Sequence, residues 1–201
     1  MQAYRTFIAI EVPAEIRRQT KAYIDELRAA FPNARASWSP EDNLHLTLKF
    51  LGDVPVSRID AVSHACAEAA GEVDRFELAI AGCGTFPPHG KPKVLWLGIR
   101  YAGVPPASST AEHENPLIAL QIAIEDACTT TGFARELRRY HPHLTIARLR
   151  EAKDSRALAE RHRQCDWPAQ TFTVSEVVVF RSELSSKGSR HSPLSNHQLG
   201  A

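Results

Sequence analysis

Two short stretches of the sequence repeat one pattern of polar residues. Residues 43–50 read NLHLTLKF and residues 140–148 read YHPHLTIAR, so both contain His-Leu-Thr followed by an aliphatic residue. An imidazole, whose unperturbed pKa is about 6.5, can donate or accept a proton near neutral pH. A hydroxyl two residues away can donate a hydrogen bond to a developing anion. The sequence therefore offers two candidate pairs for acid–base chemistry, His45 with Thr47 and His143 with Thr145.

Together, two such pairs suit the hydrolysis or transesterification of a phosphodiester without a metal ion. In that reaction one oxygen loses a proton while another gains one, so one histidine would act as the base and the other as the acid. The sequence contains no G-x-S-x-G elbow, no P-loop and no H-E-x-x-H zinc motif. We expect neither a metal nor a cofactor, and we disfavour a metal site built from His45, His141 and His143.

The first pattern predicts a strand over residues 44–51, in which successive side chains alternate between two faces. His45 and Thr47 then share one face, whereas Phe50 shares the other face with the leucines of the segment. We therefore predict that Phe50 is buried in the core. Base stacking by Phe50 or Trp38 is the less favoured alternative.

The second pattern predicts a strand over residues 141–149. Arg148 follows the motif closely, but it has the parity of the aliphatic residues and not that of His143. It reaches the face of His143 only if the strand bends or bulges after Ile146. His141 is also two residues from His143, but no threonine follows it at the motif spacing. We assign the chemistry to His143 and keep His141 as a substrate contact or a supporting residue.

Arginines cluster around the second pattern, whereas the whole chain is nearly neutral. The chain has 24 Lys and Arg against 23 Asp and Glu, a net charge of +1, so the overall charge indicates no class of partner. The local cluster suits a polyanionic substrate, although an ordinary solvated surface explains its first three members equally well. The cluster consists of Arg135, Arg138, Arg139, Arg148 and Arg150.

The remaining periodicities predict the elements that must position these side chains. Residues 6–12, 75–82, 94–99 and 171–180 have the pattern of strands, and a last strand follows Gly188. Apolar stripes at helical spacing predict helices over 16–31, 57–71, with Ser57 as the N-cap, 117–128 and 154–163. Strands and helices that alternate unevenly favour an α+β fold over a doubly wound parallel sheet. The Pro- and Ser-rich residues 102–116 predict a mobile surface loop.

Composition narrows the cellular setting. The 201 residues, 43% of them hydrophobic, fit one globular domain. The four cysteines are widely spaced and form no C-x-x-C pair, which favours a reducing compartment over a disulfide framework. We find neither a membrane-spanning apolar run nor a signal peptide, and we expect a cytoplasmic protein without membrane contact.

Several segments of the chain resemble the 2H phosphoesterase superfamily, which is named for paired H-x-T-x motifs. More specifically, the chain is similar to the RNA 2′,3′-cyclic phosphodiesterases, also called 2′-5′ RNA ligases. The resemblance rests on both motifs and on stretches spread through the chain: RTFIAIEVP, LHLTLKFLGDV, GTFPP, KPKVLWLGI, YHPHLTIAR and VVVFRSELSSKGSRHSPL.

The resemblance implies a fold and an activity. The fold is α+β, with two interleaved lobes related by a pseudo-two-fold axis, antiparallel sheets, helices packed outside and an active-site cleft between the lobes, all within one domain over residues 1–201. The implied activity is metal-independent hydrolysis of RNA 2′,3′-cyclic phosphate ends, such as those of tRNA fragments, to 2′-phosphates, with 2′-5′ ligation as a minor reverse reaction. His45 would be the proton donor and His143 the proton acceptor, while Thr47, Thr145 and Arg148 would bind substrate.

Two departures and three alternatives accompany this resemblance. The loop 102–116 is longer than the family's typical turn. The family usually has a tyrosine after the Gly-x-Arg of its tail, where this chain has His191. Related enzymes with the same acid–base pair act on linear 2′-5′ oligonucleotides or on a cyclic nucleotide-sugar phosphate. A non-catalytic module that binds RNA ends is another alternative. We expect a monomer that binds RNA.

Overall fold

The computed structural model describes residues 2–102, 115–150, 154–185 and 188–200. Its helices are α1 (Ala14–Ala30), α2 (Ile59–Gly71), α3 (Pro116–Thr130) and α4 (Ser155–Arg163). Short 3₁₀ turns occupy Glu41–Asn43 and Val56–Arg58. Its strands are β1 (Ala3–Glu11), β2 (Ala36–Trp38), β3 (His45–Pro55), β4 (Phe76–Phe86), β5 (Val94–Tyr101), β6 (His143–Leu149), β7 (Gln170–Val174), β8 (Glu176–Ser185) and β9 (Gly188–Gln198).

These strands form one sheet that is antiparallel throughout. Its order is β7-β4-β5-β6-β3-β1-β8-β9, with β2 paired to β6 beside this path. The two motif strands β3 and β6 are therefore neighbours at the centre, where a single register pair, Leu46 with Leu144, joins them. One half of the sheet is β7-β4-β5-β6 and the other is β3-β1-β8-β9, so each half has a motif strand at its inner edge. This arrangement confirms the predicted α+β fold with paired antiparallel halves.

The helices cover the sheet in two groups. Helix α1 buries residues at helical spacing, among them Ile16, Tyr23 and Ile24, which explains why its sequence folds as an amphipathic helix. Its Tyr23 hydroxyl lies 2.9 Å from Nδ1 of His162 in α4, and α4 packs on β4. Helices α2 and α3 pack on each other, and they also contact β8, β9 and β3. None of the helices in the described part of the chain is both long and apolar enough to cross a membrane.

Some local predictions were wrong. The predicted strand 171–180 is two strands, β7 and β8, separated at Ser175. Strand β2 was not predicted, because three residues are too few to show a periodicity. Ser57 lies in a 3₁₀ turn, and α2 begins after Arg58 without a side-chain capping hydrogen bond. Most of the predicted loop 102–116 lies outside the described residues, so its mobility stays a prediction.

Equivalent irregularities interrupt both motif strands. On β3, Thr47 pairs with Ala9 and Lys49 with Ile8, so Leu48 is an extra residue. On β6, Thr145 pairs with Trp96 and Ala147 with Leu95, so Ile146 is an extra residue. Both extra residues stand three positions after the motif histidine, and both are buried. Each bulge reverses the alternation of the side chains that follow it.

The bulges decide where Phe50 and Arg148 point. Both residues stand five positions after a motif histidine, and both line the same cavity as the histidines. The register contains a bulge at Ile146, which meets the condition stated above for Arg148 to reach the face of His143. The prediction that Phe50 is buried was wrong, because the side chain is 52% exposed. Uninterrupted alternation would have turned Phe50 into the core, and the bulge at Leu48 turns it out.

Candidate active site

Both His–Thr pairs open into one cavity of about 630 Å³. Its lining includes His45, Thr47, His143 and Thr145 from the centre of the sheet. Three arginines and a third histidine also line the cavity, and none of its described lining residues is an Asp or a Glu. Such a cavity favours anionic ligands. The additional basic residues are Arg5, Arg148, Arg150 and His191.

The same local contact orients both motif histidines. Nδ1 of His45 lies 2.7 Å from the carbonyl oxygen of Asn43, and Nδ1 of His143 lies 2.7 Å from the carbonyl oxygen of His141. A carbonyl oxygen only accepts, so Nδ1 must carry the hydrogen in both rings. In the neutral rings, the lone pair is therefore on Nε2. For His45, this nitrogen lies 3.0 Å from the Thr47 hydroxyl, which donates to it.

Aromatic side chains hold each imidazole in place. The His45 ring lies 4.8 Å from the Phe7 ring, and Phe7 belongs to a small buried cluster with Phe180 on this side of the sheet. The His143 ring meets the Phe86 ring edge to face, with centroids 5.0 Å apart. Each catalytic candidate thus rests against one phenylalanine, which limits the positions that its ring can adopt.

Burial and nearby positive charge disfavour protonation of both histidines. Burial lowers the pKa of His45 to about 4, and repulsion from His191 and His143 contributes to the shift. Burial also lowers the pKa of His143, with further contributions from His141 and Arg148. In the free protein both imidazoles are consequently neutral at pH 7. An anion in the cavity would raise both pKa values, because it stabilises the charged form.

Hydrogen bonds around the cavity fix the segments that carry the motifs. The Asn43 side chain donates to the carbonyl oxygen of Ser189 in β9, at 2.6 Å, while its own carbonyl orients His45. The Ser39 hydroxyl donates to the carbonyl of Thr145 at 2.8 Å, and the Tyr140 hydroxyl donates to the carbonyl of Thr47 at 3.0 Å. These supports could not be predicted from the sequence, since they join residues far apart in the chain.

The predicted auxiliary residues separate into two groups. Arg148 and Arg150 line the cavity, as the basic segment suggested. Arg135 instead forms an ion pair with Asp126, and Arg138 pairs with Glu136 at 2.6 Å. These two arginines belong to the solvated surface that the sequence analysis gave as the alternative.

His141 does not reach the cavity. Its ring packs against Phe86 and Trp96, with centroid distances of 5.0 and 4.9 Å, and it is not among the residues that line the cavity. Its backbone carbonyl orients His143. Of the two roles left open for His141, the geometry favours support.

Arg5 also lines the cavity and was not predicted, although its alternation with Phe7 on β1 was an available signal. Its guanidinium lies 4.7 Å from the centre of the Phe50 ring.

The described residues contain no group of three or more His, Cys, Asp or Glu side chains placed to bind a metal ion.

One family model and two relatives of known name are similar to this chain. The profile of the 2′-5′ RNA ligase superfamily matches residues 12–185. An RNA 2′,3′-cyclic phosphodiesterase of Escherichia coli (strain K12) is 31% identical over 198 residues, which cover 97% of this chain and 96% of that protein. A protein of the same name from Geobacillus stearothermophilus is 28% identical over 92% of this chain, and this chain spans 54% of its length.

A solved structure has the same fold. The crystal structure of E. coli LigT complexed with 3′-AMP is similar with a TM-score of 0.72 and 27% sequence identity, over 100% of both chains. Similarity therefore extends over both halves of the sheet and is not confined to the two motifs.

Proposed function

Because the chain belongs to the 2′-5′ RNA ligase superfamily, we propose that it hydrolyses RNA 2′,3′-cyclic phosphate ends to 2′-phosphomonoesters. His45 is the general acid and His143 the general base in this proposal. The observation that carries it is one cavity with a basic lining, into which both His–Thr pairs open. The names of the relatives from E. coli and G. stearothermophilus support the substrate class.

The proposed reaction is an in-line displacement at phosphorus. Nε2 of His143 accepts a proton from a water molecule as the water oxygen attacks the phosphorus atom. The bond from phosphorus to the 3′ oxygen breaks, and Nε2 of His45 donates its proton to that oxygen. The product is a 2′-phosphomonoester with a free 3′ hydroxyl. One proton enters His143 and one leaves His45, so the pair must exchange protons with solvent before the next turnover.

The low pKa of His45 in the empty cavity makes its protonation depend on substrate. A general acid must hold a proton, and burial keeps this imidazole neutral at pH 7 when no anion is present. The negative charge of a bound phosphodiester offsets that penalty. Once His45 is protonated, Nε2 no longer accepts the Thr47 hydroxyl, which is then free to donate to a phosphate oxygen, as the Thr145 hydroxyl can.

In a bound nucleotide, Phe50 is suited to contact the base and Arg148 is suited to contact the phosphate. The guanidinium of Arg148 can bind non-bridging phosphate oxygens, as the family resemblance implied. The exposed Phe50 ring, with Arg5 stacked on it at 4.7 Å, offers a surface on which a base can stack. The substrate in this proposal is therefore RNA, bound through its terminal base and phosphate. The reverse 2′-5′ ligation, the cytoplasmic location and the monomeric state remain predictions.

The deciding experiment is to incubate the protein with an RNA that ends in a 2′,3′-cyclic phosphate, in the presence of a strong chelator, and to identify the product end. We expect a 2′-phosphate and a free 3′ hydroxyl. A 3′-phosphate would reverse the assignment of the leaving oxygen, and an unchanged cyclic end would refute the proposed activity. A linear 2′-5′ oligonucleotide, tested in parallel, distinguishes the alternative substrate.

A further inference from the structure

A third histidine belongs to the cavity but has no place in the two-histidine reaction. His191 lies on β9 and lines the cavity together with His45. The two rings are 5.2 Å apart at an angle of 74°. His191 also meets the Phe7 ring edge-on at 4.9 Å, so Phe7 contacts both imidazoles. The ring is thus held beside the proposed general acid, at the wall formed by β9.

The nitrogens of His191 differ from those of the other enclosed histidines. His162, His197, His45 and His143 each have at least one ring nitrogen in a hydrogen bond. Within the described part of the chain, neither ring nitrogen of His191 forms a hydrogen bond. Because its ring nitrogens have no such partner, the half-buried imidazole of His191 can form a hydrogen bond with a ligand.

The charges around His191 are those of an anion site. The neighbouring strands present His45 from β3 and Arg5 from β1, and β6 contributes His143 and Arg148 across the cavity. On β8 the register partner of His191 is Ser182, whose charged neighbours Arg181 and Glu183 pair with each other at 2.7 Å. No carboxylate is among the described lining residues to compensate the charges of Arg5 and Arg148.

We propose that His191 is a third ligand-binding histidine, which hydrogen-bonds a phosphate oxygen from the β9 wall and becomes protonated when a phosphate dianion binds. The ligand class is a tetrahedral oxyanion, and the relevant one under the proposed function is the 2′-phosphomonoester product. Burial lowers the pKa of His191 in the free protein, so the imidazole can gain a proton when an anion binds. Binding of such an anion then tightens as the pH falls.

Sulfate is the suitable probe, because it is a tetrahedral dianion whose charge does not change between pH 5 and pH 8. The experiment measures sulfate affinity by isothermal titration calorimetry across this pH range, in buffers of different ionisation enthalpy, so that proton uptake is obtained with the affinity. The variants are His191→Gln, which can hydrogen-bond but cannot be charged, and His191→Phe, which can do neither. His197→Gln is the matched control, since His197 lies on the same strand, bonded to Ser195 at 2.9 Å and outside the cavity.

We expect His191→Gln to take up about one proton fewer per sulfate than the wild type near pH 6 and to lose part of the tightening at low pH. His191→Phe should weaken sulfate binding by about 10- to 100-fold at that pH, the loss typical of a hydrogen bond to a charged group. The control should behave as the wild type does. Unchanged proton uptake and affinity in both His191 variants, with unchanged circular dichroism, would overturn the proposal.

This inference rests on the proposed function only for the identity of the natural ligand. Sulfate binding does not require catalysis, so the two proposals fail separately. If cyclic phosphate ends are not hydrolysed but His191 controls sulfate binding, the oxyanion site stands and the reaction does not. If hydrolysis is observed but the His191 variants bind sulfate as the wild type does, the reaction stands and the third-histidine proposal fails.

Discussion

Phe50 and Arg148 occupy equivalent positions in the two halves of the sheet. Each follows a motif histidine by five residues, and each is turned into the cavity by a bulge at the third residue after that histidine. At this position one half of the sheet contributes an aromatic ring and the other a guanidinium. The proposed division of a nucleotide between base and phosphate follows from this difference in side-chain type.

That division predicts different losses for two substitutions. Phe50→Ala should raise KM for a 2′,3′-cyclic nucleotide by about 5- to 150-fold, the range expected for one lost stacking contact. It should leave a cyclic phosphate without a base unaffected. Arg148→Ala should impair both substrates. Steady-state kinetics with the two substrates measure this, and equal losses for Phe50→Ala on both would contradict base stacking.

The assignment of acid and base predicts the effect of removing either imidazole. His45→Ala and His143→Ala should each lower kcat by about 10²- to 10⁴-fold, since each removes one proton-transfer group. His64→Ala is a control, because His64 is exposed on α2 and does not line the cavity. Circular dichroism and thermal melting verify that the variants fold. Turnover at the wild-type rate in either motif variant would remove that residue from the mechanism.

The pKa values of the two histidines predict an acidic optimum for kcat/KM. In the free protein the base His143 must be neutral, and burial lowers its pKa below the ordinary 6.5. The acid His45 must be protonated, and its pKa in the empty cavity is about 4. The profile of kcat/KM should therefore be bell-shaped with a maximum below pH 6.5. The profile of kcat should lie at higher pH, because bound phosphate raises both pKa values; a kcat/KM maximum well above pH 7 would refute this.

A buried ion pair supports the first motif strand. Nζ of Lys49 lies 2.6 Å from Oε2 of Glu125 in α3, and it also donates to the carbonyl of Ala134 at 3.0 Å. Lys49 and Glu125 are each 4% exposed. Glu125→Ala should lower the free energy of unfolding by about 3–5 kcal/mol, because it leaves the lysine charge buried without its partner. Urea unfolding measures this.

A double variant separates charge from packing at that site. Lys49→Met with Glu125→Leu removes both charges and keeps apolar volume, so it should be markedly more stable than Glu125→Ala. If the double variant were as unstable as the single one, the loss would come from packing and not from an unpaired charge.

His162 predicts a dependence of stability on pH that is independent of the cavity. Its ring is fully buried, with Nδ1 2.9 Å from the Tyr23 hydroxyl and Nε2 3.0 Å from the carbonyl of Trp96. Burial lowers the pKa of His162 in the folded protein. Below about pH 6.5 the unfolded chain therefore binds a proton that the folded chain excludes. The free energy of unfolding consequently decreases as the pH is lowered.

The measurement is urea unfolding between pH 5 and pH 8. The loss of stability on the acidic side should be smaller in His162→Gln, which keeps a polar group but does not titrate. An identical pH dependence in the variant and the wild type would show that other groups cause the acid instability.

Local patterns in the chain already contained the motifs, most elements and the family resemblance. His45 and Thr47 share a face because alternation in a strand is a property of the local backbone, and the stripe of α1 is equally local. The α+β fold followed from such patterns. Local patterns gave wrong predictions at two serines. Ser57 was predicted to cap a helix but lies in a 3₁₀ turn, and one strand was predicted across Ser175, where the chain forms two strands.

Tertiary pairing decided what local periodicity could not. The bulges at Leu48 and Ile146 exist only relative to β1 and β5, and they reverse the facing of Phe50 and Arg148. The approach of His191 to His45 likewise needs β9, β8, β1 and β3 in one sheet. Residue types determine which chemistry is available, because that chemistry resides in side chains. Their convergence depends on strand register, which arises only when distant segments pair.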